Sequence, residues 1–254
     1  MKQLKARILS NNSISDDFFE ISFVWDTPEK PAPGQFLTVR PSCDSVPLLR
    51  RPFAFSDYDD VSRAASFIYQ KRGRATEIFS GKRKGEILDV IGPLGKPFPV
   101  PERTSRVITV AGGIGLGPIL FLTSQLIKKG HDPLFVFGCR SANLVPRTDY
   151  FLQLNPVICT DDGSGGFKGT VADYLKIADL LTQDSIMYAC GPMLMLKACH
   201  DQAEKHGITC WISVEQVMAC GIGACMGCVV KVKGGYARAC KEGPVFDSKD
   251  IIWE

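Results

Sequence analysis

Four cysteines, Cys220, Cys225, Cys228 and Cys240, set the strongest constraint on what this chain can become, because their C-x4-C-x2-C-x11-C spacing leaves room for little else. The loop between the first three also carries Gly221, Gly223 and Gly227, so backbone can pass close to a bound object there. The first three follow the ligand signature of a plant-type [2Fe–2S] site, in which soft thiolates share the charge of the cluster. Peptide N–H groups turned toward the sulfides would then tune its potential. Four cysteines can also hold a structural zinc, but zinc ribbons pair two short C-x2-C knuckles, whereas this pattern is one wrapped loop and one distal ligand. A disulfide framework fits less well, since three thiols crowded into one short loop suit a metal better than pairing.

The remaining composition narrows the setting. A length of 254 residues predicts two domains, or two plus an appendage, with enough core to fold without staples. The net charge is +3 and the basic residues are scattered, which leaves no footprint for nucleic acid. The opening residues turn acidic and polar before an apolar run develops, so no signal peptide is expected. No stretch approaches the roughly 18 apolar residues of a membrane span. Ten cysteines without an export signal predict a reducing, cytoplasmic location.

Residues 4–9, 18–23, 35–39, 66–70 and 87–91 are short, rich in β-branched or aromatic side chains and bounded by Pro, Gly or Asp, which predicts strands of a closed antiparallel barrel. Two places in it carry chemical potential. In the stretch 49–56, Arg51 precedes the rigid Pro52 and the ring of Phe53, so a guanidinium fork that grips phosphate stands beside aromatic surface. An edge-strand arginine is the plainer alternative. In 69–76, a strand runs into a basic turn and a helix start at Thr76, where a second phosphate would find N–H groups; a solvated basic hairpin explains the same residues.

A Pro- and Gly-dense break at 92–101 ends the strand-only pattern. Beyond it strands alternate with helices, which predicts a parallel α/β domain. The apolar run 106–111 enters Gly112, Gly113, Gly115 and Gly117, then a helix with Leu116, Ile119, Leu120, Thr123, Leu126 and Ile127 on one side. Strand, glycine turn and helix start form a site for a pyrophosphate or the nicotinamide end of a dinucleotide, although this is not the G-x-G-x-x-G fingerprint. Further strands at 133–137, 156–160, 185–189 and 208–212 place Arg140, Asp161 and the Cys190-Gly191-Pro192 turn at carboxyl ends, where such sheets bind ligands.

Arg51-Pro52-Phe53-Ala54, the turn 112–118 and Cys190-Gly191-Pro192-Met193 together resemble the ferredoxin reductase family of flavoproteins. With the cysteine module appended, the whole chain resembles the electron-transfer subunits of class 1B dihydroorotate dehydrogenases. The resemblance implies an N-terminal antiparallel FAD-binding β-barrel at 1–101, a nucleotide-binding parallel α/β domain at 102–213 and a small [2Fe–2S] module at 214–254. It implies FAD, a [2Fe–2S] cluster and NAD as cofactors. The implied partner is an FMN-containing dihydroorotate dehydrogenase catalytic subunit, in a heterotetramer of two copies each, with electrons passing through the cluster and FAD to NAD+.

On the same resemblance, Arg51, Pro52, Phe53 and Ala54 correspond to the family's R-P-x-S flavin contact, with Ala54 in place of serine. Ile68, Tyr69 and Gln70 fall on the next flavin-contacting strand, and Ala75 and Thr76 on the G-T phosphate turn, with Ala75 in place of glycine. Cys220, Cys225, Cys228 and Cys240 match the four cluster ligands, and Cys190 falls near the nicotinamide. Cys43, Cys139, Cys159, Cys199 and Cys210 read as core thiols. Arg140 and Ser141 leave NAD against NADP open from residues alone, while the resemblance favours NAD. None of His131, His200 and His206 lies in a motif. Ile222, Met226 and Val245 are candidates for a docking face. Two other functions remain consistent with the sequence: the flavin subunit of an NAD(P)H:ferredoxin or sulfur-metabolising complex, and a noncatalytic adaptor whose cysteines hold zinc.

Overall fold

The computed structural model describes residues 1–101, 106–177 and 181–253. The predicted boundary at 101/102 opens onto 102–105, which lie outside the described residues. Its first six strands, β1 (Lys2–Ser13), β2 (Phe18–Val24), β3 (Phe36–Arg40), β4 (Arg51–Asp59), β5 (Ala64–Gln70) and β6 (Ile87–Leu94), close in the order β1-β2-β5-β4-β3-β6. Every adjacent pair is antiparallel, and closure leaves no open sheet edge. Strand alternation sends Phe23, Trp25, Leu37, Phe55, Phe67 and Tyr69 inward, where they meet Phe79 from the short helix α1 (Arg74–Ser80). The β1/β6 seam is pinned from outside by Asp89, which accepts from Gln3 Nε2 at 2.9 Å, Lys5 Nζ at 2.8 Å and Arg50 Nη2 at 2.6 Å.

The second sheet runs through β7 (Arg106–Gly112), β8 (Leu134–Cys139), β9 (Val157–Thr160), β10 (Phe167–Lys168), β11 (Ser185–Cys190) and β12 (Thr209–Ser213), joined by α2 (Leu116–Lys128), α3 (Asp149–Gln153), α4 (Val171–Ile177) and α5 (Met193–His206). Its order is β10-β9-β8-β7-β11-β12, all parallel. The chain fills one side of β7 first and then returns to the other, so the strand order switches between β7 and β11. The crevice at that switch, above Gly112 and Cys190, is where open α/β sheets bind ligands.

The cysteine segment supplies the hairpin β13 (Val229–Val232) and β14 (Gly235–Arg238), and then β15 (Val245–Asp247), which joins the large sheet antiparallel to β12. Val230, Ala239, Phe246 and Ile251 pack into the same core as Val110, Ala189 and Ile212.

Three expectations are corrected. Ile127 is exposed: α2 lies between its sheet and the barrel strand β4, so its first turns are buried on nearly every side, and the exposed stripe falls only at its end. Cys43 is exposed, because the segment before β4 loops outside the barrel. Val245 is 5% exposed and belongs to the core, since β15 is a sheet strand, so it offers no docking surface.

Candidate functional site

Three clefts meet where the barrel, the parallel sheet and the cysteine segment come together. The first, of about 140 Å³, has Pro52, Phe53, Ala54 and Ile68 on the barrel side and Gly115, Gly117, Pro118 and Cys190 on the other. The second, of about 660 Å³, continues past Pro52 and Phe53 to Arg51, Leu49 and Thr76. The third, of about 520 Å³, lies over the carboxyl ends of the parallel strands between Gly112, Gly113, Arg140 and Asp161, with Gln70 and Arg72 from the barrel. Glu215 lines all three, and Gln216 and Met218 line the first two.

The strands dictate which predicted residues face these clefts. Ile68 and Gln70 point to them, whereas Tyr69, between the two, turns into the barrel and donates from its hydroxyl to Asn11 Oδ1 at 3.1 Å. Phe53 edges the first two clefts while its ring stacks on Phe67 at 4.6 Å and 11°. Ala75 is buried and lines none of the three. The Thr76 hydroxyl accepts from the N–H groups of Arg72 at 2.9 Å and Gly73 at 3.1 Å and donates to Gly73 O, so it ties the first turn of α1 together. Arg51 is therefore the cation of the second cleft.

The glycine turn has a packing origin. A methyl on Gly115 would stand 2.1 Å from Cys190 O, so the start of α2 can lie against the Cys190-Gly191 backbone only without a side chain. That contact brings Gly115, Gly117 and Cys190 to one wall of the first cleft. Burial pushes the Cys190 thiol up to about 12, with Ser213 opposing and Glu215 adding to the shift. Burial thus favours the neutral thiol of Cys190 over a thiolate. Burial likewise pushes up Cys139 to about 11 and Cys159 and Cys210 to about 12, and Cys199 well above its ordinary value, as inert core thiols.

The four predicted ligands form two pairs. The Cys220 and Cys225 side chains bear on one another's titration, as do those of Cys228 and Cys240; Cys225 is exposed, Cys220 half-buried and Cys228 and Cys240 buried. Five backbone N–H groups donate to their sulfurs: Ile222 and Cys225 to Cys220 at 3.5 and 3.4 Å, Gly227 to Cys225 at 3.4 Å, Cys240 to Cys228 at 3.5 Å and Gly223 to Cys240 at 3.0 Å. Burial pushes Cys220 up, but hydrogen bonds led by the N–H groups of Ile222 and Cys225 outweigh it and draw the group down to about 6. Burial and the neighbouring Cys228 push Cys240 up to about 12. Four thiols in one segment, each accepting from backbone N–H groups, fit the donor set that a [2Fe–2S] cluster would need.

The first cleft offers the surfaces a flat ring would need, an apolar barrel wall on one side and the glycine-bearing start of α2 on the other. Thr38 Oγ1, on β3 between Pro52 and the cysteine loop, is buried and has no partner among the described residues. The wall that sequence reasoning missed is 213–218. Its only local signal is that it leads directly into Cys220; its place at the junction of three clefts arises from tertiary packing.

The comparisons with known proteins agree with this geometry. Residues 215–252 match the model of the iron–sulfur cluster binding domain of dihydroorotate dehydrogenase B. The electron transfer subunit of dihydroorotate dehydrogenase B (NAD(+)) from Caldanaerobacter subterraneus subsp. tengcongensis is 37% identical over 99% of both chains. Its counterpart from Streptococcus mutans is 38% identical over 96% of both. A solved NADH-dependent reduced ferredoxin–NADP oxidoreductase, studied for flavin-based electron bifurcation, is 28% identical with a TM-score of 0.85, covering 98% of this chain and 90% of its own.

Proposed function

The chain belongs to the family of dihydroorotate dehydrogenase B electron-transfer subunits, and on that premise we propose that it draws electrons from an FMN-containing dihydroorotate dehydrogenase catalytic subunit and delivers them to NAD+ in pyrimidine biosynthesis. We assign it to the cytoplasm, in a heterotetramer with two copies of each subunit; among the described residues no helix is long and apolar enough to cross a membrane. When bound, FAD converts the single-electron traffic of a [2Fe–2S] cluster into the two-electron hydride transfer that NAD+ requires.

Each stretch of this chain has a part in that work. Cys220, Cys225, Cys228 and Cys240 would hold the cluster, and the five N–H donors around them favour its more reduced, more negative form. Pro52, Phe53, Ala54 and Ile68 would orient the flavin ring and keep water from one face, with Arg51 toward its phosphates. Ala54 supplies only backbone where the family has a serine hydroxyl. Gly112, Gly113, Gln70, Arg140 and Asp161 would seat NAD so that its nicotinamide lies near Cys190, whose neutral thiol adds no charge. The functional division follows 1–101, 102–213 and 214–254, even though β15 from the last stretch completes the sheet of the second.

One observation carries the reading: Glu215 is shared by the three clefts and lies in the segment that enters the cysteine loop, so flavin, nicotinamide and cluster sites adjoin. The test is anaerobic purification with iron, flavin and metal analysis, followed by addition of NADH. Two irons and one flavin per chain, bleached by NADH, are expected; a colourless protein carrying zinc would restore the adaptor reading and sink this one. A second redox reading, the flavin subunit of an NAD(P)H:ferredoxin complex, is favoured by the 0.85 TM-score to such an oxidoreductase. Copurification with a dihydroorotate-oxidising subunit, or with a ferredoxin-linked one, separates the two.

A further inference from the structure

The cysteine loop is held from behind by a side chain outside the four-cysteine pattern. Arg238, the last residue of β14, donates from Nη1 to Gly223 O at 2.7 Å. Its Nε and Nη2 donate to the two carboxylate oxygens of Glu242 at 3.0 and 2.5 Å, a fork on a fork. The Arg238 backbone N–H also donates to Glu242 at 2.8 Å, and the Arg238 carbonyl accepts from the N–H groups of Lys241, Glu242 and Gly243. The pair is half-buried, with side-chain exposures of 24% and 36%, so it is packed against the loop and not splayed into water.

The backbone of Gly223 is consequently held at both of its polar groups, which lie in adjacent peptide planes joined at its Cα. Its carbonyl is bound by Arg238, and its N–H donates to Cys240 Sγ at 3.0 Å, shorter than the 3.4–3.5 Å of the four other N–H to sulfur contacts. With one residue between Arg238 and Cys240, the guanidinium stands on the carbonyl of the residue that donates to the Cys240 sulfur. A fixed N–H donor and a nearby positive charge both favour the reduced form of a thiolate-bound cluster.

We propose that Arg238, oriented by Glu242, is a positioning residue that fixes the Gly223 N–H on the Cys240 sulfur and raises the reduction potential of the cluster. The inference rests on reading 220–240 as a [2Fe–2S] site and adds to it a residue outside the ligand set. A cation and an anion serve different ends in this device. The arginine supports reduction, whereas the glutamate holds the arginine and opposes reduction with its own charge.

The experiment is an anaerobic redox titration of the full chain carrying its cofactors, followed by the low-temperature EPR signal of the reduced cluster, with iron per chain measured on each sample. Arg238→Gln should shift the potential down, Arg238→Lys should fall between wild type and Arg238→Gln, and Glu242→Gln, which frees the arginine but also removes an opposing charge, should move the potential by less than Arg238→Gln does. A purely structural clamp would lower the potential equally in Arg238→Gln and Glu242→Gln, because each breaks the fork; equal falls, or three unmoved potentials, overturn the proposal. If Arg238→Gln takes up no iron, Arg238→Lys still decides: a potential below wild type is expected, and a wild-type potential overturns the proposal. Wild-type protein without iron would sink the reading of the site itself, whereas a wild-type cluster with unmoved variants sinks only the role of Arg238.

Discussion

Two glycines at opposite ends of the electron path are constrained by different neighbours, so their substitution separates the cofactors. Gly221 has φ +69°, and a methyl on it would stand 2.8 Å from Thr38 Cγ2 on β3. An alanine there is strained by its backbone and pushed by the barrel, at a cost of about 1–3 kcal/mol. The loop must retreat, and the adjoining N–H of Ile222 then leaves Cys220 Sγ. Gly221→Ala should therefore lower iron per chain while flavin per chain holds. Gly115→Ala is predicted to do the reverse: its methyl meets Cys190 O, which forces α2 away from the β11 turn and opens the first cleft, so bound flavin falls while iron holds. Both ratios follow from visible spectra combined with iron analysis of the same samples.

Among the elements, the barrel seam has a pH dependence with a definite sign. Burial raises the Asp89 carboxyl, but its bonds from Lys5, Arg50 and Gln3 overcome that and hold it at about 2. A folded-state value below the unfolded one gives stability that is present above about pH 4 and is lost as pH falls from about 4 toward 2. Solvent around Lys5 screens the pair, so the gain is on the order of 1 kcal/mol. Asp89→Asn should thus lower the thermal midpoint at pH 7, and the gap from wild type should close as the midpoint is followed below pH 4; a constant gap would show that the seam does not depend on this charge. The same barrel shows what sequence makes legible. β1, β2, β3, β5 and β6 were readable because short β-branched or aromatic runs are bounded by Pro, Gly or Asp, and the cysteine ligands because their spacing is local. β4 was not: Arg51, Pro52, Ser56 and Asp57 dilute its apolar pattern, and its strand character comes from pairing with β3 and β5 far away in sequence. The inward turn of Tyr69 follows from simple alternation, but the resemblance grouped it with its neighbours. β10 and α4 are too short and too glycine-flanked to announce themselves.

At the scale of the whole molecule, the cysteine module and the flavin clefts are mechanically joined yet chemically separable. Val230, Ala239, Phe246 and Ile251 anchor the module in the core of the parallel sheet, and β15 is hydrogen-bonded to β12. That anchoring does not depend on metal, so removing one cluster ligand should leave the sheet, α2 and the three clefts in place. Cys225 is the exposed member of its pair, and its replacement opens no cavity in that core. Cys225→Ser should therefore lose the visible absorbance of the cluster and stop electron flow from the catalytic subunit, while NADH still reduces a small soluble acceptor such as ferricyanide through the flavin. The two rates, measured on the same preparation with its flavin content known, decide the point. If both collapse although flavin is retained, the nicotinamide and flavin sites depend on the cluster itself, and the adjacency at Glu215 would be a coupling between sites instead of a shared wall.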